Sequence, residues 1–200
     1  MITAPEPIRW DKFLFTLLVT LALTSLAFLY VAPGIRGLQR LQVQKSIQAR
    51  YGATTIQRCK AANITIDNPV EGSWPAHLRT IAIDSATLTI NPTYDQAIPD
   101  QWHATGSQDI NAVMCLVENK TLYAEDTYAL GDICHRYRHD LSVFMMDPVT
   151  GGLIRTKTFS GLLPPPCPEF TYLVVDEDGT LPNASNITTW LNQSQQTYSN

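Results

Sequence analysis

The chain has 200 residues, a formal net charge of −4 and a hydrophobic fraction of 44%. A weakly acidic chain without a basic stripe among its aromatic residues lacks the charge that nucleic-acid binding requires, so no nucleic acid is expected as a partner. Outside its most apolar stretch, the chain has the length of one domain with its own core.

The most apolar stretch is Phe13–Val31, which contains no charged side chain. A helix over this stretch is about 28 Å long at about 1.5 Å per residue, close to the roughly 30 Å hydrocarbon core of a bilayer. The run is longer than the apolar region of a signal peptide, and Pro33 makes a poor cleavage junction. We therefore predict an uncleaved transmembrane signal-anchor over residues 13–32, with the lipid bilayer as its partner and residues 1–12 as a cytoplasmic tail.

Residues 35–51 carry apolar side chains at roughly helical spacing, with glutamine, arginine and lysine between them. This pattern predicts a juxtamembrane amphipathic helix, which Gly52 ends. The helix is expected either to lie on the membrane surface or to dock on the domain that follows.

Residues 53–195 consist of short β-like runs separated by turn residues, and they predict a mainly β (α+β) domain built on an antiparallel sheet. The predicted strands are Leu78–Ile83, Ala86–Ile90, Ile110–Glu118, Thr121–Tyr128, Cys134–Asp147, Leu153–Ser160 and Phe170–Val175. The segment Asp147–Gly152 is the strongest hairpin signal. Asp176–Gly179 predicts a turn, and residues 186–192 are expected to begin a short C-terminal helix.

The four cysteines all lie downstream of the predicted anchor, which indicates two disulfide bonds. No two of them have the close spacing of a zinc site, and no metal or other cofactor is predicted. Three pairings are possible. If Asp147 faces Ile154 in the hairpin and no bulge intervenes, the same register places Cys134 opposite Cys167.

Cys59 and Cys115 then form the second pair by elimination. The alternative is four reduced thiols in a cytoplasmic domain.

Basic residues flank the anchor on both sides, so the positive-inside rule gives no orientation. The cysteines favour an amino terminus inside the cell and the large domain outside it.

The densest cluster of ionisable side chains is the segment His135–Asp140. In a strand, His135, Tyr137 and His139 share one face. The other face carries Arg136, Arg138 and Asp140. The two histidines could hold a metal, although no third ligand is placed by sequence, and the arginines could recognise an anion or a partner carboxylate. The simpler interpretation is a partly solvated start to a strand that becomes apolar from Leu141. No catalytic or phosphate-binding motif is present, so no catalytic residue is predicted.

Part of the chain, roughly residues 78–192, resembles a recurrent module of bacterial, often membrane-anchored proteins without an established activity. The matching runs are Ile98–Cys115, Cys134–His139, Asp147–Gly151, Thr158–Gly161 and Pro164–Pro168. The resemblance implies a bacterial, extracytoplasmic, β-rich domain, and it brings no catalytic residues.

Two classes of function remain. In the first, the outer domain of a single-pass membrane protein binds or scaffolds a partner protein without catalysis, as an accessory subunit of a membrane complex would. In the second, a surface enzyme or a receptor for a small ligand or metal uses the His135–Asp140 patch. The second class requires a pocket in which these side chains converge, whereas the first requires paired side chains on a flat or ridged surface. We expect the first.

Overall fold

The computed structural model describes four stretches of the chain, residues 42–61, 73–128, 132–169 and 174–198. The predicted tail and anchor lie outside these residues. Within the described stretches, no helix is both long enough and apolar enough to cross a membrane. The chain divides into two compact units, residues 1–45 and residues 46–200, and the second contains the sheet.

Within the described stretches, two helices precede the sheet, α1 over residues 42–51 and α2 over Ala53–Ala61. Gly52 lies between them with a φ of +86°, a conformation that favours glycine and ends α1. The β structure predicted from Ala53 onward is wrong for α2. This segment is helical because Ile56 and Cys59, three residues apart, are both fully buried on one helical face.

The second unit is built on a six-stranded sheet in the order β2-β1-β3-β4-β5, with β6 paired to β4. The strands are β1 Ala82–Asp84, β2 Thr89–Ile90, β3 Val113–Thr127, β4 Ile133–Met146, β5 Leu153–Phe159 and β6 Val175–Asp178. The mainly β domain is therefore confirmed. The predicted antiparallel pairing holds for three of the five strand pairs, but β1 runs parallel to β3 and β4 runs parallel to β6.

One strand, β3, replaces the two that were predicted at Ile110–Glu118 and Thr121–Tyr128. Asn119 and Lys120 interrupt the β-like pattern, but both stay in the ladder because the facing strand β4 continues without a break. A bulge falls further along, at Tyr123, where the register shifts. The result is one long antiparallel ladder between β3 and β4, and β5 and β6 pair with the other edge of β4.

The strand β6 occupies residues that were predicted to form the turn Asp176–Gly179, so that prediction is wrong. Aspartate and glutamate are poor strand formers, and this strand depends on its neighbours. The strand predicted at Phe170–Val175 overlaps β6 only at Val175, and its residues 170–173 lie outside the described stretches.

The hairpin between β4 and β5 closes at Asp147–Gly152 as predicted. The Asp147 side chain accepts hydrogen bonds from the backbone N–H groups of Val149 and Thr150, at 2.7 Å and 3.1 Å. The predicted register placed Asp147 opposite Ile154. The ladder is shifted by one residue from that register, because Met145 pairs with Arg155.

Side chains on the two faces of the sheet enter two core clusters. Met114 and Leu116 of β3 belong to one cluster, and Val113 and Cys115 belong to the other, as the alternation of a strand requires. A short helix, α3 (Pro92–Asp95), follows β2, and the helix α4 (Ser185–Tyr198) covers the first cluster with three buried residues. These are Ile187, Trp190 and Leu191. The predicted C-terminal helix is therefore confirmed. The second cluster packs against α1 and α2.

Two disulfide bonds are present. Cys59–Cys115 joins α2 to β3 with its Cα atoms 4.9 Å apart, and Cys134–Cys167 joins β4 to the segment after β5 with its Cα atoms 6.2 Å apart. The register predicted Cys134–Cys167, and elimination predicted Cys59–Cys115, so both pairs are confirmed. The register does not explain the Cys134–Cys167 bond, because the β4–β5 ladder ends at Leu141, residues 164–166 are prolines without the N–H groups that a ladder needs, and Cys134 pairs with β6.

Candidate functional site

The His135–Asp140 segment lies in the half of β4 that extends beyond the core, with β3 on one side and β6 on the other. Its side chains alternate between the two faces of this three-stranded region. We name these the histidine face and the arginine face. The histidine face comprises Glu118, Lys120, Glu125, His135, Tyr137, His139, Asp176 and Asp178. The arginine face comprises Tyr123, Arg136, Arg138 and Asp140.

On the histidine face, His135 bridges the two outer strands. Its Nε2 lies 3.3 Å from Oε2 of Glu125 on β3, and its Nδ1 lies 3.1 Å from Oδ1 of Asp176 on β6. The imidazole is 23% exposed, whereas the two carboxylates are about half exposed. The ring is therefore held between acidic groups of both neighbouring strands.

A second bridge of the same kind is made by His139. Its Nδ1 contacts Oε1 of Glu118 on β3, and its Nε2 lies 3.0 Å from Oδ1 of Asp178 on β6. The hydrogen bonds to Asp178 and Glu118 raise the pKa of His139 above its ordinary value. Each ring nitrogen faces a carboxylate oxygen, so the protonated imidazole, which has two N–H donors, fits this geometry.

The third basic side chain of this face is Lys120. Its Nζ lies 2.8 Å from Oδ1 of Asp178 and 4.0 Å from the centre of the Tyr137 ring. The hydrogen bond to Asp178 raises the pKa of Lys120, and the hydrogen bonds from Lys120 and His139 lower the pKa of Asp178. The histidine face thus places three basic side chains among four carboxylates.

The arginine face is held by an ion pair between half-buried Arg138 and buried Asp140. Arg138 Nη2 donates to Asp140 Oδ2 at 2.9 Å, and Arg138 Nε lies 2.9 Å from Oδ1. Asp140 is 8% exposed and also accepts the N–H of Gly161. The hydrogen bonds from Arg138 and Gly161 lower the pKa of Asp140, which opposes the effect of its burial. The pair fastens the end of β5 to β4.

The other arginine of this face holds the proline segment in place. Arg136 Nε donates to the carbonyl of Pro165 at 2.9 Å, and its Nη2 donates to the carbonyl of Pro164 at 3.0 Å. The guanidinium also lies 5.5 Å from the centre of the Tyr123 ring. Its hydrogen bonds are therefore made within the domain.

The five predicted patch residues are thus divided between two faces, and each has a partner within the protein. Among the residues described here, no group of three or more histidine, cysteine, aspartate or glutamate side chains has the arrangement of a metal site. A pocket of about 150 Å³ lies nearby, at the end of β1, but none of residues 135–140 lines it. Its lining includes Ser85, Tyr94, Leu116 and Glu118.

Sequence reasoning missed an acid–base pair elsewhere in the domain. Asp95 ends the short helix α3, Pro92–Asp95, and its Oδ2 lies 2.7 Å from His103 Nε2. Its other carboxylate oxygen accepts the N–H of Ala82 in β1, at 2.8 Å. Asp95 is 8% exposed, and it ties three parts of the fold together. The two residues lie in a loop-rich region without a recognisable motif, so no sequence signal marks the pair.

Comparison of the chain with protein-family models, with curated proteins and with solved structures finds no match. The resemblance to a bacterial module therefore stays a prediction.

Proposed function

We propose that this protein is a single-pass membrane protein whose extracytoplasmic domain binds a partner protein without catalysis, as an accessory subunit of a membrane complex. In this proposal Phe13–Val31 spans the bilayer. Two disulfide bonds support the extracytoplasmic location, since such bonds persist in oxidising compartments and are rare in the cytosol.

The observation that carries the proposal is the open edge of β3. The strand β1 pairs with β3 only at Met114–Leu116, but β3 continues to Thr127. Along Val117–Thr127, β4 is the only strand that pairs with β3 within the described stretches. An open edge offers backbone N–H and C=O groups to an added strand, which is a common way of binding an extended peptide.

The side chains of this edge indicate the chemistry of the partner. Leu122 and Tyr123 lie in the middle of the edge, and they are 55% and 46% exposed. Glu118 and Lys120 are already paired with side chains on β4 and β6. An extended segment with apolar side chains at its centre is therefore the partner that this edge fits best.

The geometry supports binding more than catalysis or metal capture. The competing hypothesis requires the side chains of His135–Asp140 to converge on a pocket. These side chains instead lie on two faces of the sheet and are paired with other groups of the domain. Internal pairing of this kind holds neighbouring parts of the domain together.

Site-specific photocrosslinking in the native membrane tests the proposal. A photoreactive phenylalanine analogue replaces Tyr123 in the full chain, and the control carries it at Val149, which is 81% exposed in the β4–β5 turn. We expect one discrete protein adduct from position 123 and none from position 149. The proposal is wrong if position 123 gives no adduct, or if both positions give the same adducts, in chains that have formed both disulfide bonds.

A double variant then tests whether the apolar centre of the edge is what the partner contacts. Leu122→Asp with Tyr123→Asp places two charges on exposed positions, so the domain should still fold and form its disulfide bonds. The analogue is placed at Thr121 in this background and in the wild type. We expect the adduct to disappear only in the double variant, and an unchanged adduct would contradict the predicted contact.

A further inference from the structure

The strand β6 is short and is fastened to the domain by charge. It has four residues and runs parallel to the first part of β4. Its two carboxylates on the histidine face both reach histidines of β4, Asp176 to His135 and Asp178 to His139. The second nitrogen of each ring contacts a carboxylate of β3. Two imidazoles therefore connect all three strands.

The protonation state of these rings decides whether the contacts attract. A neutral imidazole has one N–H and one lone pair, so one of its nitrogens cannot donate to the carboxylate that it faces. Each contact with Asp176 or Asp178 then competes with a contact to β3 for a single proton. An imidazolium satisfies both contacts and also attracts both carboxylates.

The other charged groups of this face make the effect stronger. Glu118 and Glu125 approach from β3, and Asp176 and Asp178 approach from β6. Lys120 is the remaining basic side chain of the face, and it contacts Asp178. When both rings are neutral, one lysine remains among four carboxylates, and mutual repulsion of the carboxylates favours separation of the strands.

We propose that His135 and His139 form a proton-operated latch, which holds β6 against β4 when both rings are protonated and releases it as they lose their protons. Opening is local, because the backbone hydrogen bonds from Gly179 to Tyr137 and from Leu162 to Thr180 still hold the end of β6. The open state exposes the edge of β4 at residues 134–137. The latch acts within the chain and does not depend on the proposed partner.

Hydrogen exchange measured by mass spectrometry tests the latch on the full chain in detergent. Amide protection is calculated at each pH from about 5.5 to 8.5, so that the intrinsic effect of pH on exchange is removed. We expect protection of Val175–Asp178 to fall by about tenfold over this range, given the usual strength of exposed ion pairs, while β5 keeps its protection. Exchange at the C2 position of histidine gives the pKa of each ring in the same experiment.

Glutamine variants separate the latch from other effects of pH. In His135→Gln and His139→Gln, the side chain cannot be protonated, so we expect low protection of β6 at every pH. The control is His77→Gln, at an exposed position outside the histidine face, which should keep the wild-type profile. The latch is refuted if β6 protection in the wild type does not change with pH, a result that needs no variant and leaves the crosslinking result at Tyr123 unaffected.

Discussion

Replacing each disulfide bond by two alanines should reveal two different contributions to stability. The loop closed by Cys59–Cys115 spans 56 residues, and the loop closed by Cys134–Cys167 spans 33. Chain-entropy reasoning for loops of these lengths gives about 4.2 kcal/mol for the first and about 3.7 kcal/mol for the second. Both values are large beside the usual stability of a domain, about 5–15 kcal/mol.

The burial of the cysteines increases the difference between the stability losses of the two double variants. Cys59 and Cys115 are both fully buried in the second core cluster, so their replacement also leaves a cavity. Cys134 is fully buried, but Cys167 is half-buried in the segment after β5. We expect Cys59→Ala with Cys115→Ala to cost more than the other double variant by about 1–2 kcal/mol.

Urea unfolding of the full chain, followed by circular dichroism, measures both losses. The predicted order of midpoints is wild type, then the variant without Cys134–Cys167, then the variant without Cys59–Cys115. In the wild type, mild reduction should open the half-buried Cys134–Cys167 bond first, as mass mapping of alkylated thiols would detect. A reversed order of midpoints, or midpoints equal to that of the wild type, would refute the reasoning.

Two further changes test the packing and the pH dependence of the domain. Gly161→Ala would place a Cβ atom against the backbone carbonyl oxygens of His139 and Thr180, and a loss of about 1–3 kcal/mol in the free energy of unfolding is expected. The control is Gly106→Ala, where the nearest atom is 4.0 Å away; equal losses would contradict the steric argument. Hydrogen bonds from Thr105 and Gly106 lower the pKa of Asp109 to about 2, so its stabilisation is present above its ordinary value of 3.8 and is lost as the pH falls towards about 2. Asp109→Asn should therefore flatten the loss of thermal stability between pH 4 and pH 2, and an unchanged acid profile would contradict this.

The elements that sequence predicted well are those with strong local signals. The strand β4 becomes apolar and alternating from Leu141, and the turn Asp147–Gly152 contains a proline and two glycines. The closing helix places Trp190 and Leu191 on one apolar face, and both are buried. In each case the local preference agrees with the packing of the fold.

The elements that sequence missed depend on distant partners. The helix α2 contains few apolar residues, and its position is fixed by the bond from Cys59 to β3 and by the burial of Ile56. The strand β6 has a sequence typical of a turn, and its carboxylates are stabilised by His135 and His139, 41 and 39 residues away. The alternation within β4 identified which patch side chains share a face, but it could not identify these partners.

The location of the domain is tested most directly by trapping thiols in intact cells. Cells are quenched with acid and treated with a maleimide that adds mass to each free cysteine, with and without prior reduction. We expect no modified cysteine without reduction and four modified cysteines after it, because all four are joined in two bonds. Modification of all four cysteines without reduction would place the domain in a reducing compartment and contradict an extracytoplasmic location.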